Sequence, residues 1–331
     1  MPRMRRFEIL VLPLSLLLAA SISLAQQNNW EQDMNSGQAL LDQGDYRRAE
    51  GVFLAAVAGA QKLSDEHRAA SLRYLGITQY QLGSYLEAER TFKECLRIGE
   101  RIFGPGDPFA VRLMNHLGML YREMKRYSKA ERILRRGLEI ERRRLPPDAD
   151  NLAIALNNLA NVLVARRRYG EAVGLQREAV SVREAFLGPE HPGVAGLLSN
   201  LAAGLRHANL NTEAEEVLQR AVRIWEKTLG PEHPERVYGL LNLSQLYAEQ
   251  RRFAEADTLL RQAREICETR LPAEHPLLGE VLWSHAALLK KTGQKAQAKD
   301  LSRRAKRILR QHRKDNLLDA TIDVGEIMTH H

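Results

Sequence analysis

Six residues, Leu187-Gly188-Pro189-Glu190-His191-Pro192, return as Leu229-Gly230-Pro231-Glu232-His233-Pro234, 42 positions later. A third copy, Leu271-Pro272-Ala273-Glu274-His275-Pro276, follows after another 42. Looser copies stand at Phe103-Gly104-Pro105-Gly106-Asp107-Pro108 and Leu145-Pro146-Pro147-Asp148-Ala149-Asp150. A fixed period of this length marks an array of stacked supersecondary units. It overrides what 331 residues would suggest by length alone, two globular domains, because a solenoid is one continuous domain of any length.

The frame of the array is an alanine inside a short signature. It reads Tyr46-Arg47-Arg48-Ala49, Tyr85-Leu86-Glu87-Ala88, Tyr127-Ser128-Lys129-Ala130, Tyr169-Gly170-Glu171-Ala172, Asn211-Thr212-Glu213-Ala214 and Phe253-Ala254-Glu255-Ala256, then a degenerate Lys295-Ala296-Gln297-Ala298. The alanines are spaced 39 and then 42 five times, which defines seven repeats. Twelve residues before each alanine sits a small residue: Gly37, Gly76, Gly118, Ala160, Ala202, Ser244 and Ala286. Small side chains let two helix backbones approach, so each pair marks the crossing of a helix hairpin. Apolar residues at helical spacing surround both marks, as at Leu152, Leu156, Leu159 and Leu163 before the alanine and Val217, Leu218, Ala221, Val222 and Trp225 after it. In the fifth repeat the first helix is expected over 192–208 and the second over 211–228. Gly188 suits a left-handed stop of the preceding helix, Pro189 prevents its continuation, and Pro192 suits the next first turn. Glu190 sits where a helix N-terminus favours negative charge.

This pattern resembles the tetratricopeptide repeat, on Leu117-Gly118 with Tyr121, Ala130 and Leu134, and on Leu75-Gly76 with Ala88 and Phe92. The 42-residue period and its linkers resemble the kinesin light chain branch of that family. The resemblance implies an all-α, right-handed solenoid of about seven helix hairpins over 26–312, with first helices lining a concave groove. The seventh repeat departs from the pattern, with His285 for Leu and Lys295 for Tyr, and is expected to act as a cap with a polar outer face. The tail, 313–331, loses the helical period, and Thr321-Ile322-Asp323-Val324 alternates briefly.

Residues 1–25 read as a secretory signal peptide of bacterial type. Three arginines precede an apolar run over 9–22, and Ser23-Leu24-Ala25 supplies small residues before a cut ahead of Gln26. The run is shorter than a membrane span requires, and no later stretch is apolar enough to be one. A periplasmic or secreted protein is therefore expected. Cys95 and Cys267 fall in repeats too far apart to pair and are expected as buried free thiols.

No catalytic motif is found: no Gly-x-Ser-x-Gly, phosphate loop, His-Glu-x-x-His or calcium loop. His191, His233 and His275 recur in the linkers, but no Cys or Asp completes a metal set, and each has the same turn role. No enzyme, metal or cofactor is expected. Charge is mixed in sign along the helices, with 49 Lys and Arg against 41 Asp and Glu, and no basic segment interleaves with stacking aromatics. Nucleic acid is therefore not an expected partner. Arg142-Arg143-Arg144 and Arg166-Arg167-Arg168 read as helix ends, where cations face carbonyls.

The candidate site is a series at one frame position of the first helix, two residues before the small residue. Asn158, Asn200 and Asn242 hold it in three consecutive repeats, His116 and Asn35 hold it earlier, and Tyr74 and Ser284 fill it elsewhere. The series lies off the apolar stripe. The resemblance implies a clamp on the backbone of an extended peptide, for which a carboxamide carries both donor and acceptor. The alternative is an asparagine that bonds a neighbouring helix and holds the repeats in register. Arg73, Arg122, Arg206, His207, Lys290 and Lys291 nearby would favour an acidic or carboxylate-bearing segment. The expected function is a non-enzymatic scaffold or adaptor binding a protein or peptide. A second reading is an accessory subunit of an envelope polysaccharide or outer-membrane assembly complex.

Overall fold

The computed structural model describes residues 14–144 and 148–316, with side chains described over 25–144 and 148–311. The first 13 residues of the expected signal peptide, the Leu145-Pro146-Pro147 linker and the tail beyond Asn316 lie outside these residues, while the rest of the expected signal peptide forms the start of the first helix. Among the described residues there are fourteen helices and no strand. The odd-numbered ones are the first helices of the repeats: α1 (Leu14–Asp42), α3 (Asp65–Gln81), α5 (Pro108–Glu123), α7 (Ala149–Ala165), α9 (Pro192–His207), α11 (Glu235–Glu249) and α13 (Pro276–Lys291). The even-numbered ones are the second helices: α2 (Tyr46–Ala60), α4 (Tyr85–Phe103), α6 (Tyr127–Arg143), α8 (Tyr169–Leu187), α10 (Asn211–Leu229), α12 (Phe253–Arg270) and α14 (Lys295–Asn316). The chain forms two compact units. One comprises residues 1–82 and 86–102, the other residues 83–85 and 103–331.

Within each unit the frame residues hold the positions that the period assigns to them. The seven frame alanines are buried, six of them with no exposure and Ala298 at 6%. In the first unit the partner positions are glycines for a steric reason. A Cβ on Gly37 or Gly76 would stand 2.6 Å from the rings of Phe53 and Phe92. In the second unit a Cβ on Gly118 would stand 2.4 Å from Leu134. Later repeats put Ala160, Ala202, Ser244 and Ala286 there, all buried.

The turns explain the repeated linker. Gly188 and Gly230 cap α8 and α10 with φ of 88° and 95°. Their ψ of 154° and 159° is extended rather than left-handed helical, a region essentially restricted to glycine. His191 and His275 are N-caps, and His233 makes the same bond from one residue before Pro234, the N-cap of α11. Nδ1 of His191 accepts from the Gly193 N–H at 3.0 Å, that of His233 from Glu235 at 3.3 Å, and that of His275 from Leu277 at 3.2 Å. Satisfying an orphan N–H at a helix start accounts for their recurrence without any ligand. Inside each hairpin a left-handed residue makes the turn: Gly44, Gly83 and Gly293 where glycine is available, and Lys125, Arg167, Asn209 and Arg251 where it is not.

Second helices are also tied by charge across the period. Arg135 on α6 reaches Glu171 on α8 at 2.5 Å, Arg142 reaches Glu178 at 2.6 Å, and Arg177 on α8 reaches Glu213 on α10 at 2.7 Å. These pairs are about half exposed and each adds at most about 1 kcal/mol. Arg166 and Arg168 converge on Glu131, so this arginine run pairs across the repeat boundary instead of ending in solvent. Both cysteines are free and buried, and burial pushes each thiol up to about 12. α14 runs to Asn316, past the expected end of the array at 312, because Arg313 and Lys314 are good helix formers.

Candidate functional site

The site is built on the faces of α5, α7, α9 and α11 that are turned away from the apolar contacts. On α9, Leu198, Leu201, Ala202 and Leu205 are buried, whereas Asn200 and Ala203 are partly exposed. On α7, Leu156, Leu159, Ala160 and Leu163 are buried, with Asn157, Asn158 and Asn161 partly exposed. Asn242 on α11 and His116 on α5 are partly exposed at the matching frame position. The 42-residue period thus delivers His116, Asn158, Asn200 and Asn242 to equivalent places on four first helices.

The asparagines do not stand free of the scaffold. Nδ2 of Asn200 donates to Oδ1 of Asn157 on α7 at 3.0 Å. Nδ2 of Asn242 donates to the Ser199 hydroxyl on α9 at 2.8 Å. Each bond joins a residue to the first helix of the preceding repeat, 43 positions back, so the row acts as a register ladder. The same step from Asn158 leads to Asn115 on α5. That rung is open: Nδ2 of Asn158 and both polar atoms of Asn115 are buried without a hydrogen-bond partner, and Asn115 is 5% exposed. Neither Asn200 nor Asn242 has a partner for its Oδ1 among the described residues. These carbonyls are the acceptors the row can offer to a ligand.

A further polar contact locks the second rung. Gln176, 1% exposed on α8, donates its Nε2 to the backbone carbonyl of Asn200 at 2.9 Å. The contact requires glycine at 204, where a Cβ would stand 2.2 Å from Oε1 of Gln176.

The two arginines of the site are paired. Arg122 reaches Glu123, the next residue, at 2.6 Å. Arg206 is 18% exposed and reaches Glu249 on α11 at 2.6 Å. Beside it, His207 stacks on Tyr169 with ring centroids 5.4 Å apart. Burial and the neighbouring Arg206 hold the His207 imidazole below its ordinary range. Asn115, Asn157 and Ser199, which receive or await the ladder bonds, were not among the expected site residues. Their signal was the doublet Asn115-His116, Asn157-Asn158 and Ser199-Asn200, a polar residue just before each member of the row.

Among the described residues no group of His, Cys, Asp and Glu could hold a metal ion, and no helix is long and apolar enough to cross a membrane. Models of the tetratricopeptide repeat match residues 33–101, 69–143, 152–193 and 193–269. The chain belongs to the tetratricopeptide repeat family. No curated protein sequence matches it. Among solved structures, this repeat protein is similar to the nearly identical TPR-like repeats of a Podosopora anserina kinesin light chain, with 26% identity and a TM-score of 0.50 over 61% of this chain and 95% of that one. It shares the fold of RapI in its apo form, with 13% identity and a TM-score of 0.67 over 86% of this chain and 99% of that one. It also shares the fold of the Rap conjugation gene regulator of plasmid pLS20, solved in complex with the Phr* peptide, with 16% identity and a TM-score of 0.63 over 96% of this chain and 83% of that one.

Proposed function

We propose that this protein is an exported, non-enzymatic adaptor that holds an extended peptide or partner segment along its first helices. The observation that carries the reading is the carboxamide row. Asn200 and Asn242 each spend one N–H on the preceding helix and keep Oδ1 for a ligand N–H. A helix rises about 5.4 Å per turn and packed helices lie about 8–10 Å apart. An extended peptide advances about 3.3 Å per residue, so every third residue or so can meet the next rung. An acidic ligand would have to exchange with Glu123 and Glu249, which already hold Arg122 and Arg206. Support for export comes from the arginine start, the short apolar run and Ser23-Leu24-Ala25. Mass spectrometry of the exported protein is expected to find Gln26 as the first residue, and a retained Met1 in the membrane fraction would refute export by cleavage.

The test of the site is capture of partners from envelope extract by wild type and by Asn158/Asn200/Asn242→Ala. Each lost ligand bond costs about 0.5–1.5 kcal/mol, so the triple variant is expected to weaken capture about tenfold or more. Asn200 and Asn242 also carry register bonds, and their loss lowers the melting temperature by itself. Asn158→Ala separates the two roles, because its Nδ2 holds no register bond. Weakened capture by this single variant at a melting temperature no lower than that of wild type supports the clamp. Unchanged capture by both variants leaves the row with a register role alone.

A further inference from the structure

The outward face of α14 carries Arg303, Lys306, Arg307, Arg310 and Gln311 around an open hollow of about 620 Å3. The repeat period gives each cation a counterpart. Four periods of 42 residues take Arg303 back to Arg135 and Arg310 back to Arg142. In the third repeat these two arginines reach Glu171 and Glu178, themselves seven residues apart on the next second helix. One period on, Arg177 repeats the contact with Glu213. On α14 no described helix follows. Among the described residues Arg303 reaches only Asp300 of its own helix, at 3.7 Å with both side chains 72% exposed. Arg310 has no carboxylate partner among the described residues.

The apolar half of the repeat-to-repeat contact is missing from the same face. Lys306 stands where Val180 and Val222 stand in earlier repeats. Val222 packs against the next first helix, 2.7 Å from where a Cβ on Gly239 would lie. Lys306 is exposed instead, near the ring of Trp283 at 5.9 Å. Arg264 fills the same position in the sixth repeat, which α13 still follows, so Lys306 takes an apolar contact from this face without closing it, while the two arginines keep the spacing of the charge contact.

We propose that this edge docks an acidic helix from another protein, with two carboxylates seven residues apart placed to meet Arg303 and Arg310 as Glu171 and Glu178 meet Arg135 and Arg142. Seven residues are about two helical turns, so both carboxylates fall on one side. A second copy of this chain stacked head to tail does not fit. Its first repeat would present Arg48 and Ala55 where Glu171 and Glu178 stand in the fourth. The match is of register as well as sign, which sets a helix apart from a general polyanion. The contact is reversible and salt-sensitive, because its pairs are exposed.

The probe is a synthetic alanine-rich helix of about 20 residues, long enough to hold its fold, carrying two glutamates seven apart. One control carries glutamine at both sites, and another carries the glutamates five apart, on different faces. Fluorescence anisotropy at low salt is expected to show the matched peptide binding about tenfold more tightly than either control. Arg303→Glu/Arg310→Glu is expected to erase that difference with an unchanged melting curve, since both side chains are exposed. Equal binding of the glutamine control, or of the five-spaced peptide, overturns the proposal. So does tighter binding of a single-stranded DNA 20-mer or of phosphatidylglycerol vesicles with the same dependence on Arg303 and Arg310. Asp319 and Glu326 are also seven apart in the chain's own C-terminal segment. A chain ending at Asn316 is expected to bind the matched peptide no better than the full chain. A tenfold gain would assign the edge to that segment and overturn docking of a separate partner.

Discussion

Glu141 is the residue whose removal should stabilise this protein, by an amount that depends on pH. It sits on α6 with no solvent exposure, at a frame position that carries Trp225 and Cys267 in other repeats. Neither carboxyl oxygen makes a hydrogen bond of good geometry. The Arg144 guanidinium lies 3.3 Å away through Nε, but its Nη2 is committed to the Gly106 carbonyl. Burial therefore pushes the Glu141 carboxyl above its ordinary 4.5, and Arg144 offsets only part of this. A folded-state value above the unfolded one means that the group's contribution is fully present below about pH 4.5 and is lost as pH rises through the folded value. Glu141→Gln keeps the shape and removes the charge. An unsatisfied buried polar group costs about 1–3 kcal/mol, more when charged. The variant is expected to gain about 1–3 kcal/mol over wild type at pH 8, with the gain shrinking towards pH 4. Urea unfolding followed by circular dichroism at both pH values measures it. Glu131 is the internal control. There burial alone would raise the carboxyl, but hydrogen bonds from Arg135 and Arg168 hold it below its ordinary range. Glu131→Gln should lose stability at pH 8 and recover towards pH 4. A Glu141→Gln gain that is the same at both pH values, or a loss at pH 8, would refute the reasoning by showing that Arg144 fully compensates the charge.

Ala214 has no exposure at the crossing of α9 and α10. Ala214→Leu should overpack it and cost about 1–3 kcal/mol, partly confined to neighbouring repeats, and an unchanged thermal melt would show that the frame is misplaced. Arg167 makes its turn at φ 60° where other repeats use Gly44, Gly83 and Gly293. Arg167→Gly should relieve left-handed strain and raise stability by about 0.5–1 kcal/mol, and a lower urea midpoint would contradict this.

The fold was legible because a period repeats each error-correcting clue several times. The fifth repeat shows how closely: first and second helices expected over 192–208 and 211–228 run Pro192–His207 and Asn211–Leu229. Proline at the first helical turn and glycine after the last fix those boundaries by covalent chemistry. The exceptions came where chemistry depends on what lies opposite. The left-handed turns at Lys125, Arg167, Asn209 and Arg251 use residues with no such preference as a group, so hairpin closure imposes the conformation. His285 replaces a core leucine and remains 4% exposed, with Nε2 2.8 Å from Oδ1 of Asp257 on α12 and Nδ1 buried without a partner. The sequence marks it only as a departure from the pattern, since its carboxylate partner lies 28 positions away.

The site was legible as a row of positions and not as a set of bonds. Period and polarity are enough to place Asn158, Asn200 and Asn242 on one face. Whether an amide hydrogen goes to a neighbour or a ligand depends on a few degrees of side-chain rotation, which no repeat pattern encodes. A register role and a clamp role would not compete. A carboxamide has two donors and an acceptor, and one donor suffices for each register bond at Asn200 and Asn242. Giving that N–H away leaves a polarised carbonyl held in a fixed orientation by the preceding helix. A ligand N–H would then meet an acceptor whose ordering cost was met on folding, which is how preorganisation raises affinity. The open rung at Asn115 and Asn158 is the contrasting case. Its three buried, unpartnered polar atoms carry a desolvation cost that a closed rung would remove. Those atoms are closed to solvent, so a ligand would meet Asn158 through its Oδ1 alone, and Asn158 is the member that tests the clamp without a register bond of its own.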